Sequence, residues 1–327
     1  MTKNQRLRRV SGVVALGAAL ATLSACSLGE EQSSGVSSGS LGAADELDGV
    51  SVTVAGKEFT EQLILCELTA QALESTGAEV KRQCGMSGSN TVRSALVSGK
   101  VDVYWEYTGT GWITHLGETE PLSDPAELYA AVAERDKAEN GITWLEPAPA
   151  NNTYAVATSN ENAEKLGVTT LSDYAELVRK DPSQATFCAA AEFLARDDGW
   201  PGLQEAYGFS LPSKSTSEVA AGVVYNSVDK GAPCVFGEVF ATDGRIAALG
   251  LTQLEDDQQF FTPYNPSANV RDAVLEENPK VADVLAPISE ALTDETLQSL
   301  NAKVDADGET PEQVATDWLV EKGFVGD

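Results

Sequence analysis

Apolar positions along this chain switch between strand-like runs and helical spacing. Val-Thr-Val-Ala at 52–55 is a short apolar run of strand length, and residues 59–75 carry Leu63, Ile64, Leu68, Ala72 and Leu73 at helical intervals. Residues 78–83 read as a second strand. Asn90 is placed to cap a helix through Val97 that Gly99 ends, and Val-Asp-Val-Tyr at 101–104 reads as a third strand. This β-α-β-α-β run predicts a mostly parallel sheet covered by helices. Asp124 as cap, Pro125 at the first helical position and Glu127 at the third mark the next helix. Further on, 153–158 is strand-like, Ser172 can cap a helix through Val178, and 185–189 and 233–237 read as strands. Ser215 and Glu218, three apart, predict a helix opening between those two strands. The chain ends in helices started by Pro279, Thr293 and Thr-Pro-Glu-Gln at 310–313, a capping-box pattern. No internal repeat is present. Two α/β units, the second inserted into the first, predict two lobes with a cleft between them.

The N-terminus has a different character. Lys3, Arg6, Arg8 and Arg9 precede an apolar stretch at 10–23, the length of a signal-peptide core and too short to span a bilayer. It ends in Leu-Ser-Ala-Cys at 23–26, which looks like a bacterial lipobox, with cleavage before Cys26 and lipid on its thiol. The alternative is an ordinary signal peptide with a chance cysteine. Residues 27–44 are rich in Ser and Gly, as a tether should be. We therefore expect a signal peptide at 1–25, a lipid-anchored linker at 26–49, and a folded part held at the outer face of a membrane by Cys26. No later run is long and apolar enough to be transmembrane.

Composition narrows the partners. Residues 1–25 hold four of the 22 basic residues and none of the 50 acidic ones, so without them the net charge falls from −28 to −32. That excludes a nucleic-acid partner, whose phosphates need neutralising. Cys66, Cys84, Cys188 and Cys234 remain after Cys26, an even number that suggests disulfides in an exported chain. Three pairings are open. Cys66–Cys84 and Cys188–Cys234 are favoured, because each pair falls within one predicted lobe. Zinc is the weaker option, since there is no C-x-x-C and His115 is the single histidine. That histidine reads as a surface or helix-end residue.

The densest chemistry lies at 101–112, where Tyr104, Trp105, Tyr107 and Trp112 crowd around Gly and Thr in a chain only 7% aromatic. Such a cluster is either core or the wall of a pocket whose ring faces hold a cation with no proton to donate. Trp105 and Trp112 read as packing, and Glu106 as a brace for the loop.

Five motifs then recur in the order found in one family. They are Gly-Lys-Glu-Phe-Thr-Glu-Gln at 56–62, Tyr-Trp-Glu-Tyr-Thr-Gly-Thr at 104–110, Asn-Asn-Thr-Tyr-Ala at 151–155, Glu-Phe-Leu-Ala-Arg-Asp-Asp-Gly at 192–199 and Thr-Asp-Gly at 242–244. Over residues 50–325 the chain resembles the glycine betaine/carnitine/choline-binding proteins of osmoprotectant ABC importers. The resemblance implies an α/β periplasmic-binding-protein fold, two lobes joined by two crossing segments near Asn151 and near Thr262 and Pro263. Lobe one would be 50–149 with 262–327, and lobe two 150–261. It implies a monomer without cofactor or metal that hands its ligand to a membrane permease driven by a cytoplasmic ATPase.

The family-matching positions for a trimethylammonium box are Tyr107, Tyr154, Phe240 and Tyr264; relatives often carry Tyr in place of Phe240. Lys57, Thr110 and Arg196 match the donors to a ligand carboxylate, and Arg can fork two bonds onto one. Glycine betaine leads, with choline, carnitine and proline betaine beside it. Ergothioneine, which adds a thioimidazole, is the alternative, with Phe240 and the polar Asn265 and Asn269 leaving room for it. A secreted hydrolase is the remote option: a triad would need His115, and no G-x-S-x-G elbow exists.

Overall fold

A computed structural model describes residues 37–118 and 122–326. The stretches read as signal peptide, lipid-bearing Cys26 and the tether to residue 36 lie outside the described residues. The strands are β1 (Ser37–Ser38), β2 (Ser51–Lys57), β3 (Glu79–Met86), β4 (Val103–Tyr107), β5 (Ile142–Trp144) and β6 (Tyr154–Ser159). They continue as β7 (Phe187–Ala189), β8 (Thr216–Glu218), β9 (Phe236–Phe240), β10 (Leu251–Gln253), β11 (Pro266–Arg271) and β12 (Val325–Gly326). One five-stranded sheet has the order β3-β2-β4-β11-β5, the other β10-β6-β9-β7-β8, and β1 pairs with β12.

Each large sheet is mostly parallel, as expected, with one reversed strand that the sequence reading did not foresee. β3, β2 and β4 are parallel, as β-α-β connections require. β11 runs against both β4 and β5. In the second sheet β7, β8 and β9 are parallel, and β6 runs against β9 and β10. The reversed strand in each sheet is the first one laid down after the chain crosses between lobes. It starts at the cleft edge, where its neighbours end. Tyr107 at the end of β4 is therefore opposite Pro266 at the start of β11, and Phe240 at the end of β9 is opposite Tyr154 at the start of β6.

Strand β4 shows how period-two geometry divides labour. Val103 and Trp105 face a core with Ile64, Leu68, Leu73 and Trp318. Tyr104 faces the other layer, with Val92, Leu96, Val132 and Trp144. Tyr107 reaches the cleft-side cluster with Tyr154 and Tyr264. Trp105 is 1% exposed and donates Nε1–H to Thr69 Oγ1 at 2.8 Å, so its polar atom is satisfied. Cys66 bonds Cys84, tying helix Thr60–Ser75 to β3, and Cys188 on β7 bonds Cys234 ahead of β9.

Several local expectations are corrected. The helix at Ser89–Val97 starts after Gly88 (φ 76°), with Asn90 inside its first turn. Thr170, not Ser172, caps Leu171–Lys180, because Asp173 three residues on completes the reciprocal box. Residues 216–218 pair with β7 as a strand, and the next helix, Ala221–Asp229, opens after Ala220. Thr310 accepts from Gln313 N, but the Gln313 side chain turns to Asp317, so only half a capping box forms. Residues 37–49, read as tether, pack on the domain: Leu41 and Leu47 are buried with the first core and Ser40 N donates to Gly323 O.

Candidate functional site

The cleft edge gathers five rings. Phe59 stacks on Phe240 with centroids 5.2 Å apart, and on Tyr107 at 6.2 Å. Tyr154 lies 5.4 Å from Phe240 and 5.4 Å from Tyr264, edge-on to the latter. They wall a cavity of about 90 Å³ that Lys57, Thr110, Glu192 and Glu238 also line. A larger space of about 720 Å³ shares Phe59, Phe240, Asn152 and Glu192 with it.

The sequence explains how the rings are presented. Gly109 follows β4 because a Cβ there would sit 2.8 Å from the Tyr264 ring, so the two walls can close only on glycine. Gly111 is equally constrained, since its Cβ would meet the Trp144 ring at 2.5 Å. Thr110 opens a π-helical turn, Thr110–His115, a form often found at functional sites. The crossing segments lie side by side. Asn152 N donates to Tyr264 O at 3.1 Å, and Tyr264 N donates to Asn151 Oδ1 at 2.7 Å. Tyr264 is thus carried on one crossing, and Tyr154 follows the other at the start of β6.

Three buried carboxyls surround the rings. Glu106, at the floor of lobe one, accepts from Lys57 Nζ at 2.6 Å, Tyr104 Oη at 2.9 Å and Tyr107 N at 2.8 Å, with His115 Nε2 at 2.8 Å. Burial opposes its ionisation, yet Lys57 and His115 hold it well below the usual carboxylate range. His115 is therefore not a surface residue: its side chain is 2% exposed because Glu106 draws it inward. Glu61 accepts from four neutral donors, Tyr107 Oη, Asn152 Nδ2, Thr242 Oγ1 and Asn301 Nδ2, at 2.6–3.1 Å. Burial pushes it up, and those four bonds only partly offset this. Glu238 is also pushed up by burial, to about 8.

Tyr107, Tyr154, Phe240, Tyr264, Lys57 and Thr110 come together on one cavity. Arg196 does not line it. Its Nε donates to Asp198 at 2.7 Å, Nη1 to Glu192 at 3.0 Å and Nη2 to Tyr264 Oη at 3.3 Å, with the guanidinium 5.5 Å from the Tyr154 ring. The adjacent acids take its fork, and Arg196 acts as a brace behind two box rings. Asn265 and Asn269 are also absent from the lining: both are buried, and their amides donate to Ala150 O and Ser267 O. Phe59 was read only as the first residue of a helix. It is the N-cap position, in extended backbone, which turns its ring into the cleft. Its place in the Gly-Lys-Glu-Phe-Thr motif is the signal that could have found it. Glu192 bridges the cleft as well, accepting from Ser89 Oγ at 2.9 Å.

A family profile described as the substrate-binding domain of ABC-type glycine betaine transport systems matches residues 50–321. The glycine-betaine-binding protein of Pseudomonas aeruginosa is 38% identical over 279 residues, covering 84% of this chain and 88% of its own. The solved apo structure of YehZ from Escherichia coli superposes with a TM-score of 0.63 at 34% identity, over 84% of this chain and 99% of that one. The ergothioneine transport permease/ergothioneine-binding protein EgtU of Helicobacter pylori is 32% identical over 84% of this chain, which spans 48% of that relative.

Proposed function

This chain belongs to the family of substrate-binding domains of ABC-type glycine betaine transport systems, and we propose that its aromatic chamber captures a quaternary-ammonium solute, glycine betaine first. It is a binding protein that delivers a small ligand to a permease, not an enzyme. The observation that carries the ligand reading is the ring set itself. Phe59 and Tyr107 come from one wall, Tyr154 and Phe240 from the other, and Tyr264 from a crossing segment. A trimethylammonium group has no N–H to donate and carries a bulky methyl shell. Ring faces accept both, at about 0.5–2 kcal/mol per ring when dry. Lys57 and Thr110, on the lobe-one wall, are the motif-matched donors in the lining for a ligand carboxylate. Calorimetric titration with glycine betaine, proline betaine, carnitine and choline tests the reading, and binding by none below the millimolar range would end it.

Ergothioneine is the second reading. The adjoining 720 Å³ space gives a longer ligand somewhere to extend, and a relative named for ergothioneine binding is 32% identical. Competition between ergothioneine and glycine betaine on one sample separates the two. The anchoring reading stays attached to Cys26. Cys26→Ser should release the protein from membranes into the soluble fraction, whereas unchanged membrane association contradicts it.

A further inference from the structure

Glu238 is a carboxyl that the ring box leaves unexplained. It stands two residues before Phe240 on β9, so both side chains leave the same face of the strand, and Glu238 lies one pleat deeper, opposite Val156. It lines the aromatic cavity and is only 3% exposed. Among the described residues its single hydrogen bond comes from Ala190 N, at 2.7 Å to Oε2. No donor of the described residues meets Oε1. The neighbouring cations are engaged elsewhere, Lys57 with Glu106 and Arg196 with Asp198 and Glu192. Glu192, after β7, and Glu58, across the cavity, add negative charge rather than remove it. Burial, with a smaller push from Glu192, outweighs the Ala190 N–H and Arg196 and raises Glu238 to about 8, which favours its neutral form at pH 7 without ligand. The hydroxyls of Tyr107, Tyr154 and Tyr264 are pushed further up by burial and do not titrate near neutrality.

We propose that Glu238 is the counterion of the bound quaternary ammonium: neutral in the empty chamber, it yields its proton to solvent when the cation enters. The inference rests on the reading that the box takes a trimethylammonium ligand. Ring faces satisfy the methyl shell but carry no full countercharge, and the other lining carboxylates are engaged, Glu192 by Arg196 and Ser89 and Glu58 by Gly88 N. A carboxyl with one free oxygen on the box floor supplies that countercharge, because a nearby cation favours its ionised form. The O–H bond breaks, the proton passes to buffer, and the carboxylate stays beside the ammonium. The same charge repels a ligand carboxylate, which orients a zwitterion with its ammonium toward β9 and its carboxylate toward Lys57 and Thr110.

Titration of wild type with choline and with glycine betaine in phosphate and in Tris, whose ionisation enthalpies differ, reads the proton directly. The expected result at pH 7 is release of about one proton per ligand, fading by pH 9, where Glu238 is already ionised. Glu238→Gln, which keeps an acceptor for Ala190 N, should release none and bind about tenfold or more weakly. Tight binding with heats independent of buffer overturns the proposal while leaving the aromatic box intact, as does a Glu238→Gln variant of unchanged affinity. Absence of binding by any quaternary ammonium removes the box reading and this inference with it.

Discussion

Phe59 and Phe240 lie face to face across the cleft, centroids 5.2 Å apart and planes 20° from parallel. One ring opens the first long helix of lobe one and the other ends a strand of lobe two, so their contact exists only when the lobes meet. Either ring removed should cost about 1–2 kcal/mol of ligand binding, a five- to thirty-fold rise in Kd. Calorimetry on Phe59→Ala and Phe240→Ala checks this. Phe240→Tyr, which keeps the π-face, should stay close to wild type.

Glu106 is the structural hub beneath the box. Glu106→Gln removes the carboxylate bonded to the buried Lys57, so urea unfolding at pH 7 should show a loss of about 3–5 kcal/mol. Because Glu106 is held below its ordinary range, its contribution is complete above the unfolded glutamate value and is lost as pH falls toward the folded one. The gap between variant and wild type should therefore narrow below about pH 4.

Glu61 and Glu238 act in the opposite sense. Both are raised by burial, so they favour the fold most below the ordinary glutamate range and least above their folded values. Glu238, raised to about 8, should cost the ligand-free protein on the order of 2–4 kcal/mol between pH 5 and pH 8, seen as a fall in Tm of roughly 5–10 °C. Glu238→Gln should flatten part of that slope. A Tm that rises over this window contradicts the assignment.

The two disulfides bridge 18 and 46 positions. Closing loops of these lengths is worth about 3 and 4 kcal/mol respectively. Paired Cys→Ser variants should lower the urea midpoint, with the loss of Cys188–Cys234 the larger, and should leave the aromatic box able to bind.

How far the sequence carried this picture depended on the physics of each feature. β2 and β4 were visible as short apolar runs of strand length because they lie buried between layers, and helix Thr60–Ser75 because its apolar residues fall at helical spacing. β6 was read as a strand at 153–158 but its reversed direction was not, and β11 was not read at all, since the direction of each is set by where the chain re-enters a lobe. Phe59 was hidden inside a helix-start pattern. Glu61 and Glu238 were hidden by number: among 50 acidic residues, nothing local marks the few that are buried. Arg196 matched a donor position by motif, but the acids beside it in sequence engage its guanidinium.

The central claim, that rings from both lobes bind a positive charge rather than a shape, is tested most directly by comparing glycine betaine with 3,3-dimethylbutyrate. The second compound keeps the size and the carboxylate and replaces the ammonium nitrogen with carbon. Calorimetry should give a Kd in the micromolar range for glycine betaine, about −8 kcal/mol, and binding about 100-fold weaker or worse for the neutral-headed analogue. Equal affinity for the two, or no binding of glycine betaine and its quaternary-ammonium relatives, would contradict the account.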